Sequence, residues 1–297
     1  MPRRVSLLFA LICANVTPER VVGAPPEKAS EQVVLTVAPA TTSLYVGDPV
    51  IIKGILRNKG KEAVALLRPF DASWGGVRCE ICPPDTTTFE RTSLSREGLK
   101  CGQPAKVKVG ASESIVRYER LSGHGALAPT FHTAGKWRLR LAVAIGDEVI
   151  TSEPVTLEIT APSKQLKKAL DDYAHLIERR VTSGVSNEED LKVMPEAQDR
   201  LTGTNAAQLI AQARVLRDLE FAGAAKARRF AMEAVTKHRA TLPAVAREEF
   251  DLLTAQLLCE RGEYRDAKRL VDPISESSRE RERLRAEIDY YLSLESK

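Results

Sequence analysis

The chain has 297 residues, 43% hydrophobic and 28% charged, a globular composition that excludes a disordered tail, a collagen or a membrane-embedded bundle. Its 44 basic and 40 acidic residues leave a net charge of +4, and no dense Lys/Arg run carries interleaved aromatics, so nucleic acid is not an implied partner. The length exceeds the usual extent of one domain, and two are expected.

Arg3 and Arg4 precede an apolar run from Val5 to Val16, the charged and hydrophobic regions of a secretory signal peptide. Small residues at Val22-Gly23-Ala24 suit a cleavage site, although Pro25 disfavours that cut and a cut after Ala14 stays open. The expectation is a signal peptide over residues 1–24, a linker over 25–31, and an exported, periplasmic or extracellular protein. The competing reading is a buried first element of a cytosolic protein. The run is shorter than the roughly 20 apolar residues a bilayer requires, and no later segment spans a membrane. Ala10-Leu11-Ile12 before Cys13 fit a lipoprotein signal poorly.

From Gln32 to Ile159 the hydrophobic period is two. Val33 to Val37, Val50 to Leu56, Lys136 to Val143 and Val155 to Ile159 are apolar or β-branched stretches bounded by Gly, Pro, Asp and Thr, which predicts strands. Trp137, Leu139, Leu141 and Val143 alternate with Arg138, Arg140 and Ala142, so one face is apolar and the other largely solvated. With a turn at Gly146-Asp147, this strand and Val155–Ile159 are expected to close a hairpin. About seven strands with no helical period predict an all-β, immunoglobulin-like sandwich over residues 32–161.

Leu44-Tyr45-Val46-Gly47-Asp48-Pro49-Val50, then Leu56-Arg57-Asn58-Lys59-Gly60, then Thr133-Ala134-Gly135-Lys136-Trp137-Arg138-Leu139 resemble the layout of bacterial extracytoplasmic Ig-like domains. Protease-inhibitor-type and macroglobulin-type domains share it. The resemblance covers roughly Leu35 to Ile159 and rests on turns and strand starts, which speak to fold rather than function.

At Ala161-Pro162-Ser163 the period becomes helical. Ser163 is a candidate N-cap for a helix through Leu166, Leu170, Tyr173 and Ile177. Ser186 and Glu189 have capping-box spacing, Thr204 or Asn205 can start a further helix, and Pro243 suits the first turn of another. An all-α domain of about six or seven helices is expected over residues 162–297. Leu252 to Leu258 followed by Arg261-Gly262-Glu263-Tyr264-Arg265-Asp266-Ala267 resembles the helix-turn-helix joint of a tetratricopeptide repeat. Gly262 frees the turn, Tyr264 fills the angle, and small Ala267 lets two helices approach. Leu209–Glu220 with Ala224–His238 is a candidate degenerate copy, Ala227 matching Ala267; an irregular helical bundle is the alternative.

Cys79, Cys82 and Cys101 lie in the strand half, and an oxidising compartment favours a disulfide joining Cys101 to Cys82 or Cys79. A loop of about 20 residues closed this way gains on the order of 3 kcal/mol. The alternative is a zinc site of Cys79, Cys82, Cys101 and His124, since CxxC is a frequent half-site. Cys259 reads as a buried packing residue. No HExxH, GxSxG or phosphate-binding loop occurs, so no catalytic residue, metal or cofactor is assigned. His132 reads as a loop or edge residue; His175 and His238, like the charged runs Glu188–Asp190 and Arg279–Arg283, read as solvated helical surface.

Trp74, on a Gly-rich stretch, and Tyr264 are the candidate partner-binding residues. The expected function is that of an exported, non-enzymatic protein-binding or scaffold protein of the bacterial envelope with a protein partner. The alternatives are a protease inhibitor acting through a loop around Ser122–Ala126, and an enzyme with a site between the domains.

Overall fold

A computed structural model describes residues 29–67, 77–92, 106–121, 130–145, 148–182, 188–223, 225–274 and 279–295. After a short helix α1 (Ala29–Gln32), strands fill the first half: β1 (Val33–Pro39), β2 (Ser43–Tyr45), β3 (Val50–Asn58), β4 (Val64–Leu67), β5 (Val77–Cys82), β6 (Glu90–Thr92), β7 (Lys106–Val109), β8 (Ser114–Leu121), β9 (Gly135–Ile145), β10 (Glu148–Thr151) and β11 (Val155–Thr160). Helices fill the second: α2 (Lys164–Asp172), α3 (Ala174–Thr182), α4 (Glu188–Arg200), α5 (Asn205–Phe221), α6 (Ala225–Thr241), α7 (Ala244–Glu260), α8 (Tyr264–Val271) and α9 (Arg279–Glu295).

The four stretches with period two are strands β1, β3, β9 and β11. Their assembly differs from the Ig-like all-β sandwich expected from the sequence. β1, β3 and β8 form one antiparallel sheet; a second sheet runs β2-β11-β9-β5-β6 with β10 also on β9; β4 and β7 pair apart from both. β2 lies parallel to β11, Leu44 opposite Ile159, so the strand half has mixed sheets rather than a clear Ig sandwich. The reason is physical. Alternation shows that a stretch is extended and buried on one side, but says nothing of which strand it joins or in which direction. The return from β9 also passes through two strands: Leu157 of β11 stands opposite Trp137, and Val149 of β10 opposite Ala144.

The strand core contains Val33, Leu35, Val50, Ile52, Leu56, Leu139, Leu141 and Leu157 around Trp137, which is fully buried. The indole N–H donates to the Thr133 carbonyl at 2.9 Å, and Phe131 meets the ring edge-on at 5.4 Å. On the opposite face of β9, Arg138 and Arg140 are only partly exposed and Ala142 is buried, so that face is less solvated than alternation implied.

Strand β3 is buried on both faces. Val50, Ile52 and Leu56 enter the strand core, while Ile51 enters the helical core beside Leu170, Leu209, Phe250 and Leu258. The helical half is therefore packed onto the outer face of the β1-β3-β8 sheet.

Ser163 caps α2, its Oγ accepting from the Leu166 N–H at 3.2 Å, and Thr204 caps α5, accepting from Ala207 at 3.1 Å. At the α7–α8 joint Gly262 has φ +75°, its N–H donates to the Cys259 carbonyl at 2.9 Å, and that of Glu263 to Leu258 at 2.8 Å. This crossed pair is a Schellman ending, which favours glycine at the left-handed position. Ala267 is fully buried, as a close joint requires, whereas Ala227 is exposed and the buried alanine of α6 is Ala231.

Candidate functional site

Trp74, Cys101, His124 and Ser122–Ala126 lie outside the described residues, as do residues 1–28, Ser186 and the Gly146-Asp147 turn. Cys79 and Cys82 are free, buried thiols on β5. Three positions apart on a strand, their side chains leave opposite faces of the sheet. Cys79 belongs to the strand core; Cys82 Sγ instead accepts from Arg138 at 3.0 Å and lies 3.3 Å from Thr86 Oγ1. The two sulfurs thus share neither a ligand shell nor a bond. Among the described residues no group of three or more His, Cys, Asp or Glu is placed to hold a metal ion. Burial pushes the Cys79 thiol up, and that of Cys259 up to about 11, which makes both poor nucleophiles.

The histidines do not converge. His132 lies edge-on to Trp137 at 5.4 Å, and His238 edge-on to Phe250 at 5.1 Å. His238 is partly buried rather than solvated, and burial lowers its pKa. Two members of the charged runs are likewise inside: Asp190 and Arg281 are buried.

Charges from both halves do converge where β3 and β8 meet α7. Lys53 stands opposite Tyr118 in the sheet, and the Lys53 ammonium and the Tyr118 hydroxyl both donate to Glu248 Oε2, the latter at 2.9 Å. Two strand positions along, on the same face of β8, Arg120 donates to Glu249 Oε1 at 2.9 Å. Burial raises the Glu249 pKa, with Arg120 opposing the rise. Each of these carboxylates is engaged by a cation from the strand half, the arrangement of a clamp.

Asp48 adds a second tie. Its carboxylate, 2% exposed, accepts from the backbone N–H groups of Asn205 at 3.0 Å and Ala206 at 2.9 Å, and Asn205 Nδ2 returns to the Pro49 carbonyl at 2.9 Å. With Thr204 serving Ala207, the first three donors of α5 are all satisfied, two of them by a residue from the other half. Burial pushes the Asp48 carboxyl up to about 7 against these bonds. Sequence reasoning read Gly47-Asp48-Pro49-Val50 as part of a strand-entry layout and missed this role; Lys53, a charge within the apolar run of β3, was the available signal for a second buried face.

Among the described residues, the helices hold all but one of the exposed large apolar side chains. Tyr264, at the start of α8, is half-buried and stacks on Tyr291 of α9, rings 4.5 Å apart and 7° from parallel. Tyr290 meets Tyr291 edge-on at 5.3 Å and is 59% exposed; Leu294 lies one turn on, also exposed. At another end of the bundle Phe221 is 66% and Phe230 51% exposed. No helix among the described residues is long and apolar enough to cross a membrane.

No protein-family model matches the chain, and no curated protein matches it. Solved structures similar to it include a sporulation control protein from Bacillus subtilis (8% identity, TM-score 0.31, covering 48% of this chain and 55% of that one). Others are a β-glucosidase from Listeria innocua (11%, 0.28, 44% and 16%) and a DNA-bound alkylpurine DNA glycosylase from Pseudomonas fluorescens (12%, 0.30, 44% and 31%). The chain spans about half the length of the first and a third or less of the other two, and likeness at these TM-scores carries no argument about fold or function.

Proposed function

We propose that the chain is an exported, non-enzymatic protein-binding or scaffold protein of the bacterial cell envelope, whose helical half, with its tetratricopeptide-like joint, receives a protein partner. The observation that carries this reading is the Tyr264, Tyr290, Tyr291 and Leu294 cluster on α8 and α9. Tyrosines supply large contact area at low entropy cost and are enriched at binding hot spots. Three of the four, Tyr264, Tyr290 and Tyr291, sit stacked or edge-on to one another before any partner arrives, so little ordering remains to be done on association. Export rests on the Arg3, Arg4 and Val5–Val16 pattern. In this reading the strand half is the support, held to the helices by the Asp48 and Lys53 ties.

The test is co-purification from the exported fraction, comparing the wild-type chain with Tyr290→Ser/Tyr291→Ser. A partner retained stoichiometrically by the wild type and reduced about thirtyfold in the variant, the scale of a hot spot of about 2 kcal/mol, supports the reading. Undiminished retention by the variant, or a chain confined to the cytosol, contradicts it.

A further inference from the structure

We infer that the end of the helical half bearing Phe221 and Phe230 docks an acidic polypeptide segment with apolar side chains, contributed by a partner protein. The inference rests on the protein-binding reading but on different residues.

Phe221 closes α5 and Phe230 lies in the second turn of α6, so a short connection separates two exposed phenyl rings. Both are flanked by cations. The Arg217 guanidinium sits 4.7 Å from the Phe221 ring centroid, and Arg229 and Lys226 lie 5.5 and 6.0 Å from that of Phe230. Residues 214–239 hold seven Lys/Arg against three Asp/Glu; Arg228 and Arg239 are engaged by Glu263 and Asp251 from outside this stretch, and Arg229 by Glu233 within it. Lys226 and Lys237 have no carboxylate partner among the described residues.

The backbone presenting these rings is fixed from behind. Arg261, in the α7–α8 turn, donates to the Leu219 and Glu220 carbonyls at 2.8 and 2.9 Å and to that of Ala222, satisfying the C-terminal end of α5. Glu263 then accepts from Arg261 at 3.4 Å and from Arg228 of α6 at 3.0 Å. Rings on a fixed backbone lose little entropy on contact.

Next to Phe230 in sequence, Arg229 lines with Met232, Glu233, Thr236 and Lys237 a shallow groove along one face of α6, in which Arg229 and Glu233 form an ion pair at 3.6 Å. Carboxylates of a bound segment pair with Lys226 and Lys237 at the rim and compete with Glu233 for Arg229, and its apolar side chains pack on the phenyl rings and Met232. Glu233 favours a polypeptide over the other polyanions. A phospholipid surface or a nucleic-acid backbone brings phosphates against it, whereas a peptide offers it backbone N–H groups.

A random dodecapeptide library displayed on phage and panned on the immobilised full-length chain tests this, with enriched peptides titrated by fluorescence anisotropy. The expected peptides carry an Asp/Glu excess and an aromatic or Leu, bind more weakly as salt rises, and lose at least tenfold in affinity to both Phe221→Ser/Phe230→Ser and Arg229→Glu/Lys237→Glu. Circular dichroism of the variants confirms that they fold. Enriched peptides with no acidic bias, or peptides whose affinity both variants preserve, overturn the inference while leaving the protein-binding reading intact. Tighter binding to phosphatidylglycerol vesicles or a single-stranded oligonucleotide than to any peptide overturns it as well. Failure to enrich any peptide counts against both.

Discussion

Among the described residues of the strand half Val149 is the one large apolar side chain in the open, at 52% exposure, whereas the helices expose Val193, Phe221, Phe230, Tyr290, Tyr291 and Leu294. The difference follows from how each half finds cover. The β1-β3-β8 sheet has strand core on one side and helix on the other, so that Ile51 and Lys53, on the outer face of β3, are enclosed as well: Ile51 by the helical core and Lys53 by Glu248. The helices bury one face each against that sheet and one another, and nothing in the chain's described residues covers α6, α8 and α9 on the outside. A half that encloses its apolar surface is suited to support, and a half that displays it is suited to contact.

The comparison can be pressed at three points. Trp137→Ala should have the largest effect, about 3–5 kcal/mol in chemical denaturation, because it empties the strand core. If the Asp48 and Lys53 ties couple the halves, both unfold in one transition; two separate transitions, with the helical one unmoved, would show the seam to be weaker than its bonds imply.

Asp48 comes next. Asp48→Ala removes two donors' acceptor at the α5 N-terminus and should cost about 1–2 kcal/mol. Asp48→Asn isolates the charge. Burial lifts the carboxyl from 3.8 to about 7, so the folded state favours the protonated form; that contribution is complete below 3.8 and is lost as pH rises through 7. Wild-type stability relative to the Asn variant should therefore fall across this interval and level off above it. A difference that is flat or rises with pH would mean that the helix N-terminus outweighs desolvation.

Tyr290→Ser/Tyr291→Ser should be the mildest, within about 0.5 kcal/mol in thermal unfolding, since Tyr290 is mostly exposed and neither belongs to the buried core. A large loss would make the tyrosines structural and weaken their assignment to binding.

Local structure was legible in the sequence where it depends on neighbours. The alternation around Trp137, the caps at Ser163 and Thr204, and the Gly262 turn with Ala267 behind it are local patterns, and the structure contains each of them. Pairing was not. The parallel β2–β11 contact and the detached β4–β7 pair depend on encounters between distant segments, and the same alternation serves either direction. The Asp48 tie shows the limit most clearly. Gly47-Asp48-Pro49 has the chemistry of a turn, and Gly47 does adopt φ +89°, but the carboxylate's partners lie 157 and 158 positions away. Of the candidate contact residues Tyr264 was accessible through its place in a repeat-like joint; Phe221 and Phe230 were not, because an apolar residue on a helix reads as core until its exposed side is known.

The most direct test of the division between support and contact is site-specific photocrosslinking in the native envelope. A photoreactive residue is placed in turn at Tyr290 and Phe230 on the helices and at Val149 and Lys59 on the strand half, all four exposed. Discrete protein adducts from the two helical positions and none from the two strand positions are predicted. Adducts confined to Val149 or Lys59, or equal from all four, would contradict it.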